Sequence, residues 1–384
     1  MDLASAPRLA DTPPAPWAAQ TGCVRRLSAA EAADPTFLAA WEALVDEAAE
    51  PNPFLEPWFM RPSLELFGNA KTELLACYDG DRLIGLIPLA RRSLYYGYPL
   101  PHYAGWLHDN AFCGGPLVLR GYEHAFWSHL FADLDQAPGM ALFLHLPELL
   151  AEGPLATALT QVIASSARQA VIVEDGERAM LASDLSPDAY FEASMSAKKR
   201  KELRRQHKRL GEVGEITFSR SEDADGAEDW IERFLSLESS GWKGDAGSAL
   251  ASAATTRDFC HAALNGASRA GKLERLTLSL DGQPIAMLAN FITPPGAFSF
   301  KTAYDERYAR FSPGLLLQIE NLQLLDREGI EWADSCAEPG HSMIERIWRE
   351  KRRFVSLNIA IGGPVRRSAF RALMAYETRG SATR

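Results

Sequence analysis

The pattern of hydrophobic and polar positions repeats in the two halves of the chain. Apolar residues at helical spacing precede two extended apolar runs, Glu73–Tyr78 and Arg82–Ala90, which meet at Asp79-Gly80. An Asp-Gly pair between apolar runs predicts a β-hairpin, because these residues adopt the left-handed backbone of a tight turn. Two further apolar runs meet at Asp281-Gly282 and predict a second hairpin, about 200 residues after the first.

After each hairpin the pattern predicts a strand, a helix and another strand. In the second half these elements, with one more helix and strand, are predicted at Ala297–Ala303, Pro313–Arg327, Ile330–Ser335, Ser342–Glu350 and Phe354–Ile361. A hairpin followed by a strand–helix–strand crossover is typical of an α/β domain with a mixed sheet flanked by helices. We therefore expect a flexible tail over residues 1–20, one domain over 21–180 and a tandem copy over 181–384.

The charge and the cysteine content exclude several functional classes of protein. The chain has 40 Lys and Arg against 50 Asp and Glu, so its net charge of −10 argues against general binding of nucleic acid. The five cysteines include no Cys-x-x-Cys pair, and we expect neither a disulfide framework nor a metal site. The sequence shows no secretory signal and no apolar run of about 20 residues, the length that crosses a bilayer. These features favour a cytoplasmic protein with no transmembrane segment.

One basic segment stands out in this acidic chain. A helix is predicted over Pro187–Leu210, and its part Lys198–Arg209 holds eight Lys or Arg and a single Glu. Such a helix could bind the phosphates of tRNA, of CoA or of an anionic lipid, or it could be a solvated helix between the halves. No aromatic residue interrupts the basic ones, which argues against base stacking here.

The most informative segment runs from Phe298 to Glu320, where a predicted strand and a polar loop precede Ser312-Pro313-Gly314 and an apolar helix. Ser312 is expected to cap the helix by accepting a backbone N–H. The N–H groups and dipole of the helix then favour an anion, and Gly314 would let a phosphate approach the backbone. The alternative is an ordinary capped helix.

This strand, loop and helix resemble the pyrophosphate-binding segment of the GNAT-fold N-acyltransferase superfamily. The wider pattern resembles the CelD-like acetyltransferase subfamily, whose members are often named for cellulose or exopolysaccharide biosynthesis. The residues that carry this resemblance are Gly241-Trp242-Lys243-Gly244, Lys301-Thr302-Ala303-Tyr304-Asp305, Ser312-Pro313-Gly314 and Asp334-Ser335-Cys336-Ala337. Related architectures are the Fem-type peptidyltransferases, built from two GNAT-like halves. The resemblance covers Asp188–Ile361, and in the first half it rests on the order of elements.

The resemblance implies tandem GNAT-like domains that use acetyl-CoA or another acyl-CoA as co-substrate, and no metal. It assigns the acyl donor to Phe300, Thr302, Arg307, Arg310, Ser312 and Gly314, with a backbone N–H near Phe300–Ala303 holding the acyl carbonyl. The family fingerprint Gln/Arg-x-x-Gly-x-Gly/Ala aligns with Ala309, Ser312 and Gly314, so two of its three positions differ. A donor other than acyl-CoA, namely aminoacyl-tRNA as in Fem-type enzymes, therefore stays open.

The resemblance also implies catalytic and acceptor-binding residues. Asp305 and Asp334 are candidates to accept the proton of the attacking group, and Lys301 to bind an acidic acceptor or to stabilise developing charge. A structural Lys301–Asp305 ion pair and a capping role for Asp334 are the alternatives. The residues expected to contact the acceptor are Trp242, Lys243 and Tyr304.

Two further features have both a functional and a structural interpretation. Cys336 and His341 could form a nucleophile and its base, or join Asp334 as metal ligands, but a buried structural thiol is the preferred interpretation. The loop Tyr95–Pro116, rich in aromatic residues and glycine, would form either an acceptor pocket or a packing surface between the halves.

The expected activity is transfer of an acyl group from acyl-CoA to an amine or a hydroxyl. The acceptor would be a small molecule or a glycan precursor, in exopolysaccharide or cell-envelope metabolism. The alternatives are a Fem-type enzyme that uses aminoacyl-tRNA and a non-catalytic GNAT-like partner in polysaccharide synthesis.

Overall fold

A single mixed β-sheet runs through both halves of the chain. The computed structural model describes residues 22–240 and 250–381. The strands are β1 (Gly22–Leu27), β2 (Thr72–Asp79), β3 (Arg82–Arg92), β4 (His102–Gly105), β5 (Leu117–Val118), β6 (Phe143–Leu150), β7 (Ala170–Leu181), β8 (Ile216–Ser221), β9 (Leu273–Leu280), β10 (Gln283–Thr293), β11 (Gly296–Tyr304), β12 (Trp332–Asp334) and β13 (Glu350–Ala360). The helices are α1 (Pro35–Asp46), α2 (Pro57–Phe67), α3 (Glu123–Gln136), α4 (Pro154–Ser165), α5 (Pro187–Ser194), α6 (Ala197–Gly211), α7 (Ala227–Ser239), α8 (Ala254–Arg269), α9 (Pro313–Glu320) and α10 (Pro364–Ser381).

The sheet shows the same succession of antiparallel and parallel strand pairs when it is read inward from either edge. The order is β1-β2-β3-β4-β6-β13-β7-β12-β11-β10-β9-β8, with β5 paired to β3. From each edge come antiparallel strands, then a parallel pair, β4 with β6 or β11 with β12. At the centre the halves exchange strands, because β13 of the second half pairs with β6 and β7 of the first half pairs with β12. The expected α/β fold of two GNAT-like halves, with mixed sheet and flanking helices, is confirmed, and the halves share one sheet.

Both predicted hairpins are present and share an irregularity. Gly80 adopts a φ of +58° in the first turn, and Asp281 and Gly282 adopt +49° and +74° in the second. The pairing of β2 with β3 skips Ile84, and the pairing of β9 with β10 skips Ile285. A β-bulge therefore follows each turn at the equivalent position, as expected for two halves with one plan.

Several element predictions need correction. The predicted helix over Pro187–Leu210 is two helices, α5 and α6, because Met195 and Ser196 are extended and Ser196 accepts the N–H of Lys199 to cap α6. The predicted helix over Pro313–Arg327 is α-helical only to Glu320 and continues as a 3-10 turn.

The helix predicted over Ser342–Glu350 is wrong. The structure has only a 3-10 turn over Ile344–Arg346, and β13 begins at Glu350. Ile344, Ile347 and Trp348 have helical spacing and are buried. Because a single turn suffices to bury these three side chains, their spacing imitates that of a longer helix.

An aromatic core joins the two halves. Phe54, fully buried before α2, lies 5.7 Å from the ring of Phe298 on β11 and 5.7 Å from Phe112. Phe112 belongs to the loop Tyr95–Pro116 and lies 6.1 Å from Phe300. This end of the loop therefore packs between the halves. Because sheet and core are both continuous, the first half fixes the surroundings of β11.

Candidate functional site

Strand β11 stops pairing with β12 close to the residue at which its pairing with β10 is irregular. The parallel pairing of β11 with β12 covers only Gly296 to Phe298, the last residue lying opposite Asp334. On the other side, Ser299 pairs with Asn290 and Lys301 with Ala289, so Phe300 has no partner on β10. Phe300 is thus the extra residue of a β-bulge, at the mouth of an opening between two parallel strands. Backbone groups freed in this way can donate hydrogen bonds to an acyl carbonyl.

The turn from β11 into α9 presents an uncapped helix. A 3-10 turn over Glu306–Phe311 ends at Ser312, whose φ of 55° and ψ of 51° are left-handed. The prediction that Ser312 caps α9 is wrong: its side chain makes no capping hydrogen bond. A cap needs an extended backbone to aim its oxygen at the helix, and a left-handed residue lacks it. The first turn of α9 therefore has no side-chain acceptor, and its N–H groups remain suited to an anion.

Gly314 serves the packing of α9 against β11. A β-carbon at this position would lie 3.2 Å from Cδ1 of Tyr304 and 3.3 Å from Sδ of Met343. One turn later, Nε2 of the buried Gln318 donates to Oγ1 of Thr302 at 3.3 Å. These contacts fix the start of α9 over the second half of β11, so Thr302, Tyr304 and Gly314 lie together.

Asp305 is held by a neighbouring arginine. The side chain accepts the Arg307 N–H at 2.9 Å and pairs with Nη2 of Arg307 at 2.6 Å. The hydrogen bonds from the Arg307 side chain lower the pKa of Asp305, in spite of its burial. The ion pair is therefore Asp305–Arg307. Nζ of Lys301 lies 5.6 Å from the centre of the Phe112 ring and 5.9 Å from that of Phe300.

Asp334 lies in a buried ion network at the end of β12. Its carboxylate lies 3.4 Å from Nε of Arg178 and 3.4 Å from Nη1 of Arg352. It also accepts the N–H of Cys336 at 2.9 Å, as a loop cap does. Both guanidinium groups stack on aromatic rings, Arg178 on Phe354 at 3.7 Å and Arg352 on Trp332 at 3.9 Å.

The sequence analysis did not predict that Arg178 and Arg352 lie at this site. Arg178 lies on β7 of the first half, far along the chain from Asp334, and Arg352 lies on β13, beyond the turn that follows Asp334. Both strands carry several charged residues, so nothing in the local sequence distinguishes these two arginines.

The thiol of Cys336 is buried, and burial raises its pKa well above the ordinary value. This environment fits the structural interpretation of Cys336. Within residues 22–240 and 250–381, the His, Cys, Asp and Glu side chains close enough to share a metal ion are Glu228, Glu232 and His261. Asp334, Cys336 and His341 do not form such a group there.

One family model matches part of the second half of the chain. Residues 197–341 match the family model described as acetyltransferase (GNAT) domain. This part of the chain is therefore similar to a GNAT acetyltransferase domain. No curated protein sequence gives a significant match.

The folds of several solved structures resemble that of the whole chain. The crystal structure of FemX superposes with a TM-score of 0.55 at 11% identity and covers 84% of this chain and 96% of its own. The C-terminal domain of a putative lysylphosphatidylglycerol synthetase from Agrobacterium fabrum gives 0.51 at 13%, with 87% and 94% covered. L-PGS from Bacillus licheniformis gives 0.51 at 14%, with 85% and 92% covered. At these identities the likeness is one of fold.

The basic helix α6 lies beside the turn that precedes α9. Nε2 of Gln206 donates to the backbone carbonyl of Arg310 at 3.3 Å. Arg209 and Arg310 line one cavity of about 350 Å³ with Gln206. The two segments are a hundred residues apart, and only Leu203 and Leu210, buried on one side of α6, signalled that this helix packs against the domain.

The remaining predicted residues are exposed or outside the described part of the chain. Arg307, with an 84% exposed side chain, and Arg310 both face solvent on the turn before α9. Trp242 and Lys243 lie outside the described residues. Within the described ranges, no helix is long and apolar enough to cross a membrane.

Proposed function

We propose that the chain is an acyltransferase that moves an acyl group from acyl-CoA to an amine or hydroxyl, with the donor bound along β11 and the start of α9. One observation carries the proposal. The bulge at Phe300 coincides with the parting of β11 and β12, directly before an uncapped helix. A donor lying in this opening would reach both an N–H for its carbonyl and a helix N-terminus for its phosphates. The GNAT domain match supports the same assignment.

The residues of the turn suit an acyl-CoA. The N–H groups of the first turn of α9 would hold the pyrophosphate, and the exposed guanidinium groups of Arg307 and Arg310 add positive charge beside it. The backbone at Phe300 would bind the acyl carbonyl. Thr302, fixed by Gln318, would line the pantetheine arm.

In the reaction, the acceptor nitrogen or oxygen forms a bond to the acyl carbon, and the carbonyl oxygen becomes an oxyanion. The N–H at Phe300 stabilises that charge, the C–S bond then breaks, and the acceptor's proton leaves to a base while CoA departs as the thiolate. Asp334 is the better placed of the two predicted bases, because it lies opposite the last paired residue of β11. The Arg307 clamp lowers the pKa of Asp305, which makes this carboxylate a poorer proton acceptor than an unpaired one.

Calorimetric titration with acetyl-CoA and with a longer acyl-CoA tests the proposal. We expect saturable binding that weakens about tenfold in Arg310→Glu, since a charged contact is worth about 1.5 kcal/mol or more. Arg92→Glu is the matched control, because Arg92 is exposed at the end of β3 in the other half. Absence of binding by a folded protein, or equal effects of the two variants, would remove acyl-CoA as the donor.

A second donor, aminoacyl-tRNA, is favoured by the length of the basic face of α6. Seven of its Lys and Arg side chains are exposed: Lys198, Lys199, Lys201, Arg204, Arg205, Lys208 and Arg209. The helix of 15 residues extends about 22 Å, more than a single pyrophosphate can cover.

The double variant Lys201→Glu/Lys208→Glu separates the two donors. It would abolish transfer from aminoacyl-tRNA and leave a CoA-dependent reaction intact. If the protein transfers from neither donor, the non-catalytic partner in polysaccharide synthesis becomes the better assignment. A role for the enzyme in exopolysaccharide or cell-envelope metabolism, as in the CelD-like subfamily, rests on the sequence resemblance.

A further inference from the structure

A cavity of about 290 Å³ lies over the pair of exchanged strands at the centre of the sheet. Glu174, Gly176 and Arg178 alternate along β7 and point to one face, opposite Ser356 and Phe354 of β13. Phe112, Glu148 and the segment Ala337–Pro339 close the cavity over this face. The donor site described above uses none of its walls.

The polar wall of this cavity is negative. Glu174 accepts hydrogen bonds from the hydroxyls of Tyr96, at 2.5 Å, and Ser356, at 2.8 Å, and the Tyr96 bond chiefly lowers its pKa. Glu148 faces it from β6, with its side chain 47% exposed. The positive group of the cavity, Arg178, is engaged by Asp334 at 3.4 Å and lies 3.7 Å from Glu148. The three carboxylates of Asp334, Glu148 and Glu174 thus face two guanidinium groups, those of Arg178 and Arg352, which leaves one negative charge unbalanced.

The remaining walls are apolar and leave room for a chain of methylenes. The rings of Phe112 and Phe354 and the ring of Pro339 face the cavity. A β-carbon built on Gly176 would meet only Cγ of Pro339, at 3.7 Å. A glycine on a central strand weakens packing, and here it opens space under the Pro339 segment.

Phe112, which lines this cavity, also packs against the bulge residue of the acyl site. Its ring lies 6.1 Å from the ring of Phe300, the bulge residue, and 5.6 Å from Nζ of Lys301. A molecule in the cavity is thus separated from the end of the proposed donor by one aromatic side chain.

We propose that this cavity binds the acceptor, and that the acceptor is a primary amine on an apolar stem. It binds as its ammonium ion between Glu148 and Glu174, and one of these carboxylates takes the first proton so that the free amine can attack the acyl carbon. The carboxylates supply charged hydrogen bonds to the ammonium, and Phe112, Phe354 and Pro339 cover the stem. That the bound molecule is the acceptor rests on the proposed function, whereas the preference of the cavity for a cation does not.

Ligand-observed NMR titration of the full chain, without acyl-CoA, tests the preference, with n-pentylamine as the probe and 1-pentanol as its uncharged counterpart. We expect pentylamine to bind saturably and at least tenfold more tightly than pentanol. The double variant Glu148→Gln/Glu174→Gln would weaken pentylamine binding at least tenfold, because charged hydrogen bonds are worth about 1.5–3 kcal/mol. Glu152→Gln, an exposed glutamate outside the cavity, is the matched control.

Gly176→Leu, which fills the cavity, would abolish binding, provided that its cooperative unfolding transition remains. The glutamine variants test the proposal even if this one fails to fold, since both replaced carboxylates are near the surface. Equal binding of pentanol, unchanged binding by the double variant or absence of pentylamine binding would overturn the proposal. If pentylamine binds as expected but acyl-CoA does not, the proposed donor fails while the amine preference of the cavity stands.

Discussion

Replacing Asp334 by asparagine separates its structural from its catalytic role. The variant keeps an oxygen for the Cys336 N–H but removes the charge that faces Arg178 and Arg352. Arg178 has a 6% exposed side chain, so it cannot turn to water. Loss of one partner from a buried ion pair typically costs about 3–5 kcal/mol, because the other charge stays buried without compensation. Arg178 keeps Glu148 and the carbonyl of Phe112 as partners, so we expect the lower limit, about 3 kcal/mol.

Asp305→Asn is the matched variant, because its partner Arg307 is almost fully exposed. Water screens that pair, and asparagine keeps the cap of the 3-10 turn, so we expect a loss of about 1 kcal/mol or less. Urea unfolding of the wild type and both variants measures the two free energies. A loss below about 1 kcal/mol for Asp334→Asn would refute the reasoning that this carboxylate balances two buried arginines.

The same two variants test the proposed chemistry. If Asp334 accepts the proton, Asp334→Asn lowers the rate of transfer at least a hundredfold, the typical contribution of a general base, while the binding of acyl-CoA is retained. Full activity in both variants would exclude both carboxylates as the base.

Two other predictions concern buried titrating groups. Burial lowers the pKa of His108 to about 4 from an ordinary value of 6.5, so between these pH values the unfolded chain binds a proton that the folded protein does not. Stability should fall by up to about 3 kcal/mol as the pH falls from 7 to 4, and urea unfolding of His108→Gln should show a shallower fall; an unchanged slope would exclude His108 as the source. At pH 8, iodoacetamide should modify the exposed Cys23 and not the buried Cys336, as peptide mass spectrometry would show. Equal labelling of both thiols in the folded protein would contradict the burial of Cys336.

Sequence reasoning succeeded where the signal is local. The turns at Gly80 and at Asp281-Gly282, the strand that carries Phe300 and the start of α9 at Pro313 all follow from residues a few positions apart. Sequence reasoning did not predict the left-handed backbone of Ser312, because the preceding 3-10 turn determines that conformation. A serine directly before Pro-Gly is otherwise typical of an ordinary helix N-cap.

The contacts around the candidate site could not be derived in the same way, because they join distant segments. Arg178 and Asp334 meet only because β7 crosses into the second half of the sheet, and no periodic pattern specifies a crossing. Phe112 likewise reaches Phe300 through the packing of a long loop. The position of Arg310 beside Gln206 depends on how α6 packs.

The exchange of strands has a consequence for the order in which the protein is made. β13 completes the sheet of the first half by lying against β6, yet the ribosome synthesises it after every other strand that the structure describes. About 180 residues separate the end of β7 from the end of β13. At a synthesis rate of 5–20 residues per second, β13 therefore becomes available to pair with β6 about 10 to 40 s after β7 has been made. During this time β6 and β7 present unpaired edges in the cell. The first half therefore reaches its final form only after β13 of the second half has been synthesised.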